Sequence, residues 1–320
     1  MLKLLYCLIG IPAIILNQGT QIKAPSGNLA AEVLLPQGFD CEKDHCTLVI
    51  MMHGFLGSKK KVPMQFLSRE LQKAGYAVLR FDFDGYGDSD GTEEENTVPK
   101  MIDDAKAVWD YASSLPYVDR IVLLGHSQGG VVAGMLAGRL EKARTPPVAL
   151  IQLAPASVLK EYAQRGRFFS AHCDPENPPE KISVYGFKMG REYITTAQTL
   201  PIEEESSWFT GPVCLIHGTW DGIIPISCSE SYDKLYQDSE FHRVGWIDMC
   251  FSSLFTALER PGRSLTVSFF GTLFFPIACL YLLTPIFALN GVWLMPTVSA
   301  VASGILTVIL ALSLKITREN

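Results

Sequence analysis

A short turn, Gly125–Gly129 (GHSQG), constrains the fold of this 320-residue chain more than any other feature. It follows Arg120–Leu124 (RIVLL), an apolar run typical of a strand covered on both faces, and precedes Gly129–Leu140, whose small residues predict a tightly packed helix. Such a turn holds Ser127 in a strained backbone conformation, and the glycines remove side chains that would clash there. The first N–H groups of the helix then point toward negative charge that develops beside the serine. We therefore predict a nucleophilic Ser127; the alternative is a glycine-rich turn without chemistry.

Strand-like and helix-like stretches alternate between about Gly19 and Val244. Apolar runs predict strands, and apolar residues at helical spacing predict helices. The alternation predicts an α/β domain over residues 19–251, with a mainly parallel sheet and helices on both faces. The predicted strands are Leu29–Leu35, Thr47–Met52, Tyr76–Phe81, Arg120–Leu124, Val148–Leu153, Pro212–Ile216 and Glu240–Val244, and the predicted helices are Pro63–Lys73, Val98–Ser113 and Gly129–Leu140.

A polar, proline-containing stretch, residues 156–206, interrupts this alternation between two core strands. A long insertion at such a point is typically a lid or a substrate-binding cap. We expect this segment to be a lid.

Two further loops carry groups that a nucleophilic serine needs. His53–Gly57 (HGFLG) directly follows the run TLVIMM, where the backbone N–H of Phe55 can serve as an oxyanion donor beside the N–H of Gln128. His217–Asp221 (HGTWD) ends a late strand, where the carboxylate of Asp221 can orient a histidine.

Four motifs stand together in a familiar order: HGFLGS, RFDFDGYGDSDG, LLGHSQGG and PVCLIHGTWD. With them the chain resembles the α/β-hydrolase superfamily, and within it bacterial feruloyl (cinnamoyl) esterases, over roughly Gly19 to Phe251. The resemblance implies the α/β-hydrolase fold and serine-dependent hydrolysis of small aromatic carboxylic esters without a cofactor. It also implies that Tyr193 contacts the substrate ring, whereas the acidic residue expected at Tyr162 is absent and Glu161 is its neighbour.

The general base that a serine hydrolase requires is not evident. None of the six histidines lies beyond His242, and family-like spacing places Met249 at the histidine position. His242 is a substitute base or, within the predicted strand Glu240–Val244, a structural residue. Loss of a triad histidine lowers turnover about 10⁶-fold. The oxyanion hole and substrate binding still accelerate the reaction about 10³–10⁴-fold relative to the uncatalysed reaction in water. The sequence therefore predicts a slow esterase, with a membrane-tethered non-catalytic binding protein or a reading-frame change near Arg243 as alternatives.

The C-terminal run Ser264–Leu314 has 51 residues without Asp, Glu, Lys, Arg or His. About 20 apolar residues cross a bilayer, so Leu265–Leu289 and Val292–Leu314 predict two transmembrane helices; a buried core helix pair is the alternative. Basic residues flank both outer ends, which places these ends and the hydrolase domain on the cytoplasmic side. They are Arg260, Arg263, Lys315 and Arg318.

The N-terminal segment, residues 1–18, contains the 13-residue apolar run Leu4–Leu16 behind Lys3. Its length suits a signal peptide, but no clean small-residue cleavage site follows. An uncleaved anchor, an amphipathic surface segment and a signal peptide all remain open.

Composition excludes several other classes of function. With a net charge of −6, the chain lacks the excess of basic residues that is typical of nucleic-acid-binding proteins. None of the eight cysteines forms a CxxC pair, and Cys41 and Cys46 are expected as free thiols, with a disulfide as the alternative. The spacing of Asp82, Asp84, Asp88 and Asp90 does not match that of a calcium loop, so we expect no metal.

Overall fold

The computed structural model describes residues 18–219 and 221–244, which contain an eight-stranded sheet in the order β1-β2-β4-β3-β5-β6-β11-β12. Five of its seven neighbouring pairs are parallel, whereas β1–β2 and β2–β4 are antiparallel. The mainly parallel sheet predicted from the sequence is confirmed. The strands of this sheet are β1 (Gln18–Ala24), β2 (Gly27–Leu34), β3 (Cys46–Met52), β4 (Ala77–Phe81), β5 (Val118–His126), β6 (Ala149–Leu153), β11 (Val213–Gly218) and β12 (Ser239–Val244).

The central strand β3 shows why the sheet is covered on both faces. Leu48, Ile50 and Met52 belong to the larger apolar core, and the alternate residues Val49 and Met51 belong to a second core on the opposite face. Because successive side chains of a strand point to opposite faces, this continuous apolar run needs helices on each side.

Helices supply that cover. Helix α1 (Val62–Lys73) contributes Met64 to the smaller core, whereas α2 (Val98–Ser113) and α3 (Gln128–Lys142) pack against the larger one. The sequence explains the start of α2, because the Thr97 hydroxyl accepts a hydrogen bond from the Lys100 N–H at 3.3 Å. A further helix, α7 (Ser227–Leu235), follows β11 and was not predicted.

The insertion between β6 and β11 contains three short helices and two hairpins. The hairpins are β7 (Arg167–Phe168) with β8 (Ala171–His172) and β9 (Lys181–Val184) with β10 (Phe187–Gly190); the helices are α4 (Leu159–Arg165), α5 (Arg191–Ala197) and α6 (Ile202–Ser206). The role of residues 156–206 as a lid stays a prediction.

Several expectations concern other parts of the chain. The apolar N-terminal segment, the two predicted transmembrane helices within 264–314, and Met249 lie outside the described residues. None of the helices within residues 18–219 and 221–244 has the length and apolar character that crossing a bilayer requires. No disulfide joins Cys41 to Cys46.

Candidate active site

Ser127 occupies the sharp bend that the sequence predicts. Its backbone angles are φ 55° and ψ −119°, between the end of β5 and the first residue of α3. The Ser127 N–H donates to the Leu153 carbonyl at 2.8 Å, and its carbonyl accepts from the N–H groups of Gly130 (2.9 Å) and Ala156 (3.1 Å). A positive φ is unfavourable for a residue with a side chain, and these three bonds hold the serine in it.

The glycines around this bend leave no room for a side chain. A Cβ on Gly125 would lie 2.1 Å from the Gly129 carbonyl oxygen, and one on Gly129 would lie 2.4 Å from the Met52 oxygen. A Cβ on Gly54 would lie 2.9 Å from the Ser127 Cβ. The motif residues therefore allow β3, β5 and α3 to meet directly at the serine.

The two backbone amides expected to receive an oxyanion lie on either side of this junction. Gln128 is the first residue of α3, so its N–H has no acceptor within the helix. Phe55 is the second residue of a turn closed by the Gly57 N–H donating to the Gly54 carbonyl at 2.9 Å, and Leu56 follows it at φ 58°.

His53 fixes the start of that turn. Its Nδ1 lies 2.9 Å from the Gly54 carbonyl, and its Nε2 lies 3.3 Å from the Phe83 N–H. Burial lowers the pKa of His53 to about 4. The ring is therefore neutral near pH 7, with Nδ1 donating and Nε2 accepting.

A buried ion pair anchors the other end of the loop. Lys59 Nζ lies 2.5 Å from Asp82 and 2.7 Å from Asp88, and the Lys59 N–H donates to Asp82 at 2.6 Å. Hydrogen bonds from Lys59 and Lys60 lower the pKa of Asp88 to about 2. Asp82 and Asp88 thus bind lysines, and no group of three metal-binding side chains occurs within the described ranges.

Asp221 is held in a tight loop after β11. Its Oδ1 accepts from the N–H groups of Ile223 (2.8 Å) and Ile224 (3.0 Å), and its Oδ2 lies 3.6 Å from His217 Nε2. Burial alone would raise the pKa of Asp221, but the hydrogen bonds from His217 and the two amides outweigh it and keep the pKa below its ordinary value. The carboxylate is therefore ionised at neutral pH.

Ser127 lines a partly open pocket, whose space of about 380 Å³ includes open solvent. No residue of its lining carries a formal charge at neutral pH, so the pocket suits an uncharged, mostly apolar group. Its lining residues are Phe55, Ser127, Gln128, Ala156, Val158, Leu159, Tyr162, Phe168, Phe169, Met189, Tyr193 and Ile224.

The insertion closes over the Phe55 loop through aromatic contacts. The Phe55 ring stacks on Phe169 at 5.9 Å and meets Phe187 edge-on at 4.9 Å. Tyr162 Oη lies 3.5 Å from the carbonyl of Ile223 in the Asp221 loop. Both sides of the pocket therefore contact the segment expected to be a lid.

The structure brings together Ser127, Phe55, Gln128 and Tyr193 in one pocket, and Ile224 connects that pocket to the Asp221 loop. Tyr193 is buried, which raises its pKa.

No histidine within residues 18–219 and 221–244 lines this pocket. His242 lies on β12, half exposed, with its Nε2 3.2 Å from Glu240. His217 is buried with its Nδ1 2.7 Å from the Ser229 hydroxyl and its Nε2 3.0 Å from the Ile224 carbonyl. Both have partners of their own away from Ser127.

Sequence reasoning missed three contributors: Phe169, Ile224 and Lys59. The adjacent pair Phe168-Phe169 in an otherwise polar segment is a signal that could have identified the first. Glu161, the acidic neighbour noted in the sequence, pairs with Arg165 at 2.7 Å on the exposed side of α4 instead of lining the pocket.

Known proteins share this architecture. Residues 43–173 match the family model described as serine aminopeptidase, S33. The chain is 32% identical over 195 residues to lysophosphatidylserine lipase ABHD12 of Xenopus tropicalis (59% of this chain, 46% of that protein) and 34% identical over 121 residues to the Mus musculus protein of that name (38% and 30%). It thus spans less than half the length of these curated relatives.

Solved structures give broader coverage. Est1E from Butyrivibrio proteoclasticus with ferulic acid bound is 31% identical, with a TM-score of 0.66 over 71% of this chain and 89% of that one. Mouse alpha/beta hydrolase domain-containing protein 10 matches at 20% identity and a TM-score of 0.54 over 71% and 88%, which supports the fold alone. The elbow at Ser127, the sheet order and these matches establish that the chain belongs to the α/β-hydrolase superfamily.

Proposed function

We propose that this protein is a serine-dependent carboxylic-ester hydrolase with Ser127 as its nucleophile. The observation that carries the proposal is the positive φ of Ser127 in the lining of an apolar pocket. Strain of this kind persists where the surrounding structure enforces it, and it is concentrated at functional sites. In this proposal the Ser127 hydroxyl attacks the ester carbonyl, an acyl-serine forms as the alcohol leaves, and water releases the acid.

Phe55 and Gln128 are the proposed oxyanion donors. Each N–H lies in a backbone segment held independently of substrate, the first by the Gly54–Gly57 turn and the second by α3. Fixed donors stabilise the charge of the tetrahedral intermediate without reorganising, and loss of one typically costs about 10²–10³ in turnover.

Asp221 is the proposed orienting acid, because it is ionised and lies in the loop that contributes Ile224 to the pocket. The general base that Asp221 would orient is not evident. Met249 occupies the position that family-like spacing assigns to the histidine, and methionine cannot accept the serine proton. We therefore propose strongly impaired turnover.

The proposed substrate is a small uncharged ester, with hydroxycinnamate-type aromatic esters included. The apolar lining favours such a group, and the hydroxyl of Tyr193, which lines the same pocket, can offer one hydrogen bond to a polar substituent. Est1E binds ferulic acid, a hydroxycinnamic acid of the kind that such an ester would release. A serine mechanism of this kind uses no cofactor.

We also propose that the run Ser264–Leu314 forms a transmembrane hairpin, with the hydrolase domain facing the cytoplasm. Its lack of charged residues and its basic flanks support this proposal. Carbonate extraction of membranes is expected to leave the full chain in the pellet, and release into the supernatant would refute the hairpin.

The central test labels the full chain with a fluorophosphonate and measures hydrolysis of a short-chain aryl ester. Ser127→Ala should abolish both signals, while Ser113→Ala, at an exposed serine in α2, should preserve them. Equal signals for wild type and Ser127→Ala in both assays would refute the enzyme proposal.

A second candidate function is a non-catalytic, membrane-tethered binding protein that retains the pocket. The absence of histidine from the described pocket lining favours it. Met249→His separates the two, because a restored base should raise turnover by up to about 10⁶-fold. His242→Ala serves as the matched test of the substitute base, and unchanged residual turnover would eliminate His242.

A further inference from the structure

Each hairpin of the insertion presents an aromatic residue at its tip. The β7–β8 hairpin turns through residues 169–170, with Phe169 at φ 52°, and the β9–β10 hairpin turns through residues 185–186, with Tyr185 at φ 51°. Glycine, asparagine or aspartate usually occupies such a turn position, because a side chain is unfavourable at positive φ. Both turns therefore place an aromatic residue in a backbone conformation that is unfavourable for a side chain.

These rings contribute little to the core. Phe169 is 40% exposed and Tyr185 is 70% exposed, and their ring centroids lie 5.9 Å apart. The Tyr185 ring buries too little apolar surface to compensate for its strained turn. Fold stability therefore does not explain its presence, and strain at an exposed position next to the pocket-lining Phe169 indicates a function.

A third exposed apolar side chain belongs to a residue next to the pocket lining. Ile223, in the Asp221 loop, is 61% exposed and precedes Ile224, which lines the pocket. Tyr162, which also lines the pocket, lies near both segments, because its ring lies 6.4 Å from Phe169 and its hydroxyl lies 3.5 Å from the Ile223 carbonyl. Phe169, Tyr185 and Ile223, here called the apolar rim, are thus exposed apolar residues that line the pocket or neighbour its lining.

We propose that the apolar rim docks on the surface of a lipid bilayer, so that the ester reaching Ser127 comes from the lipid phase. This inference rests on the proposed ester hydrolysis and names the source of its substrate. Tyrosine and other amphipathic or apolar side chains favour the membrane interface. Phe169 lines the pocket as well as the rim, so a lipid-borne acyl group would enter without crossing water.

Area and charge favour a lipid surface over a protein partner. At their exposed fractions of 40%, 70% and 61% the three side chains offer on the order of 350 Å², whereas a stable protein interface buries about 800 Å² on each partner. Residues 167–190, which include both hairpins, carry three basic and three acidic side chains, a balance that suits a zwitterionic lipid. The basic residues are Arg167, Lys181 and Lys188, and the acidic residues are Asp174, Glu176 and Glu180.

The length of chain beyond β12 is compatible with this docking. Residues 245–263 separate β12 from the charge-free run Ser264–Leu314. Nineteen residues span at most on the order of 60 Å when extended. A domain tethered by that run can therefore bring its pocket opening to the same bilayer.

The test is independent of activity. The full chain is reconstituted in phosphatidylcholine vesicles with or without bromine atoms on the acyl chains, and Tyr185→Trp adds an indole to the rim. Tyr76→Trp is the matched control, because Tyr76 is also an exposed aromatic residue but precedes β4, at the end of the parallel strands away from Ser127. Brominated lipid should quench the emission added by Tyr185→Trp about twofold or more and leave that added by Tyr76→Trp unchanged. Equal quenching of the two would overturn the docking proposal.

A second measurement connects docking to the reaction. Tyr185→Gly removes the ring, and glycine suits the positive φ, so folding should be preserved. The ratio of hydrolysis of a fatty-acyl ester dispersed in phosphatidylcholine vesicles to that of a soluble aryl acetate should fall about threefold or more, with Tyr76→Ser as the control. An unchanged ratio would overturn the lipid-phase source. If the wild type hydrolyses neither ester, ester hydrolysis itself is refuted, and quenching alone decides docking.

Discussion

Lys59→Met should destabilise the protein far more than the same change at the next residue. The substitution keeps much of the side chain's length but removes the charge that faces Asp82 and Asp88. Removing one member of a buried ion pair costs about 3–5 kcal/mol, because the remaining charge is left without its partner. Asp82 retains two amide donors, the N–H groups of Lys59 and Asp88, so we expect the lower end, about 3 kcal/mol.

Lys60→Met is the control that the chain itself offers. Lys60 also contacts Asp88, at 2.7 Å, but both side chains are exposed. Exposed pairs contribute about 0–1 kcal/mol. Urea unfolding of the full chain in detergent, followed by near-ultraviolet circular dichroism, should show the Lys59→Met midpoint lowered by about 1 M or more with an unchanged slope.

The reasoning also predicts a partial rescue. Asp82→Asn in the Lys59→Met background removes the unpaired charge, so the double variant should regain part of the lost stability. Equal losses for the two lysine variants, or no rescue by Asp82→Asn, would refute the view that the buried pair anchors this loop.

The remaining predictions concern other strained or buried positions. Arg144→Gly should raise the free energy of unfolding by about 1 kcal/mol in urea titrations, because this exposed residue follows the C-cap of α3 at φ 60°; a loss of stability would contradict this. Gly125→Ala should abolish fluorophosphonate labelling, since its Cβ would meet a carbonyl oxygen at 2.1 Å; a labelled, folded variant would refute the steric argument. Burial lowers the pKa of His53 from 6.5 to about 4. Between these two pH values His53 is protonated only in the unfolded chain, so its contribution to the free energy of unfolding increases as the pH rises. Burial raises the pKa of Asp84 from 3.8 to about 6, so Asp84 removes stability as pH rises over that interval. Asp84→Asn should therefore steepen the gain in stability between pH 4 and 6, by at most about 3 kcal/mol in total, and an unchanged slope would contradict the assignment.

The nucleophile turn was predictable because its determinants are local. Gly125 and Gly129 are required by contacts within a few residues of Ser127 and with the neighbouring strand, so the motif alone specifies the bend. The continuous apolar runs likewise specify strands buried on both faces. Expected strand boundaries differ by a few residues, as at β5, which extends from Val118 to His126.

Other parts of the site could not be predicted because they depend on distant contacts or break local rules. Lys59 and Asp82 are 23 residues apart, and no local pattern in either segment predicts that they form an ion pair. The turn at Phe169 lacks glycine, so turn chemistry gives no signal of a hairpin there. Strand β1 was not predicted because its mostly polar sequence is also typical of a loop. Only its pairing with β2 identifies it as a strand.

The outer strand β12 has a consequence for how this protein behaves at high concentration. In the described part of the chain it is the last strand of the sheet and pairs with β11. Glu240, His242 and Arg243 project from it into solvent. Charged side chains on such a strand disfavour strand-to-strand association, so replacing them with apolar residues should promote aggregation without altering the pocket.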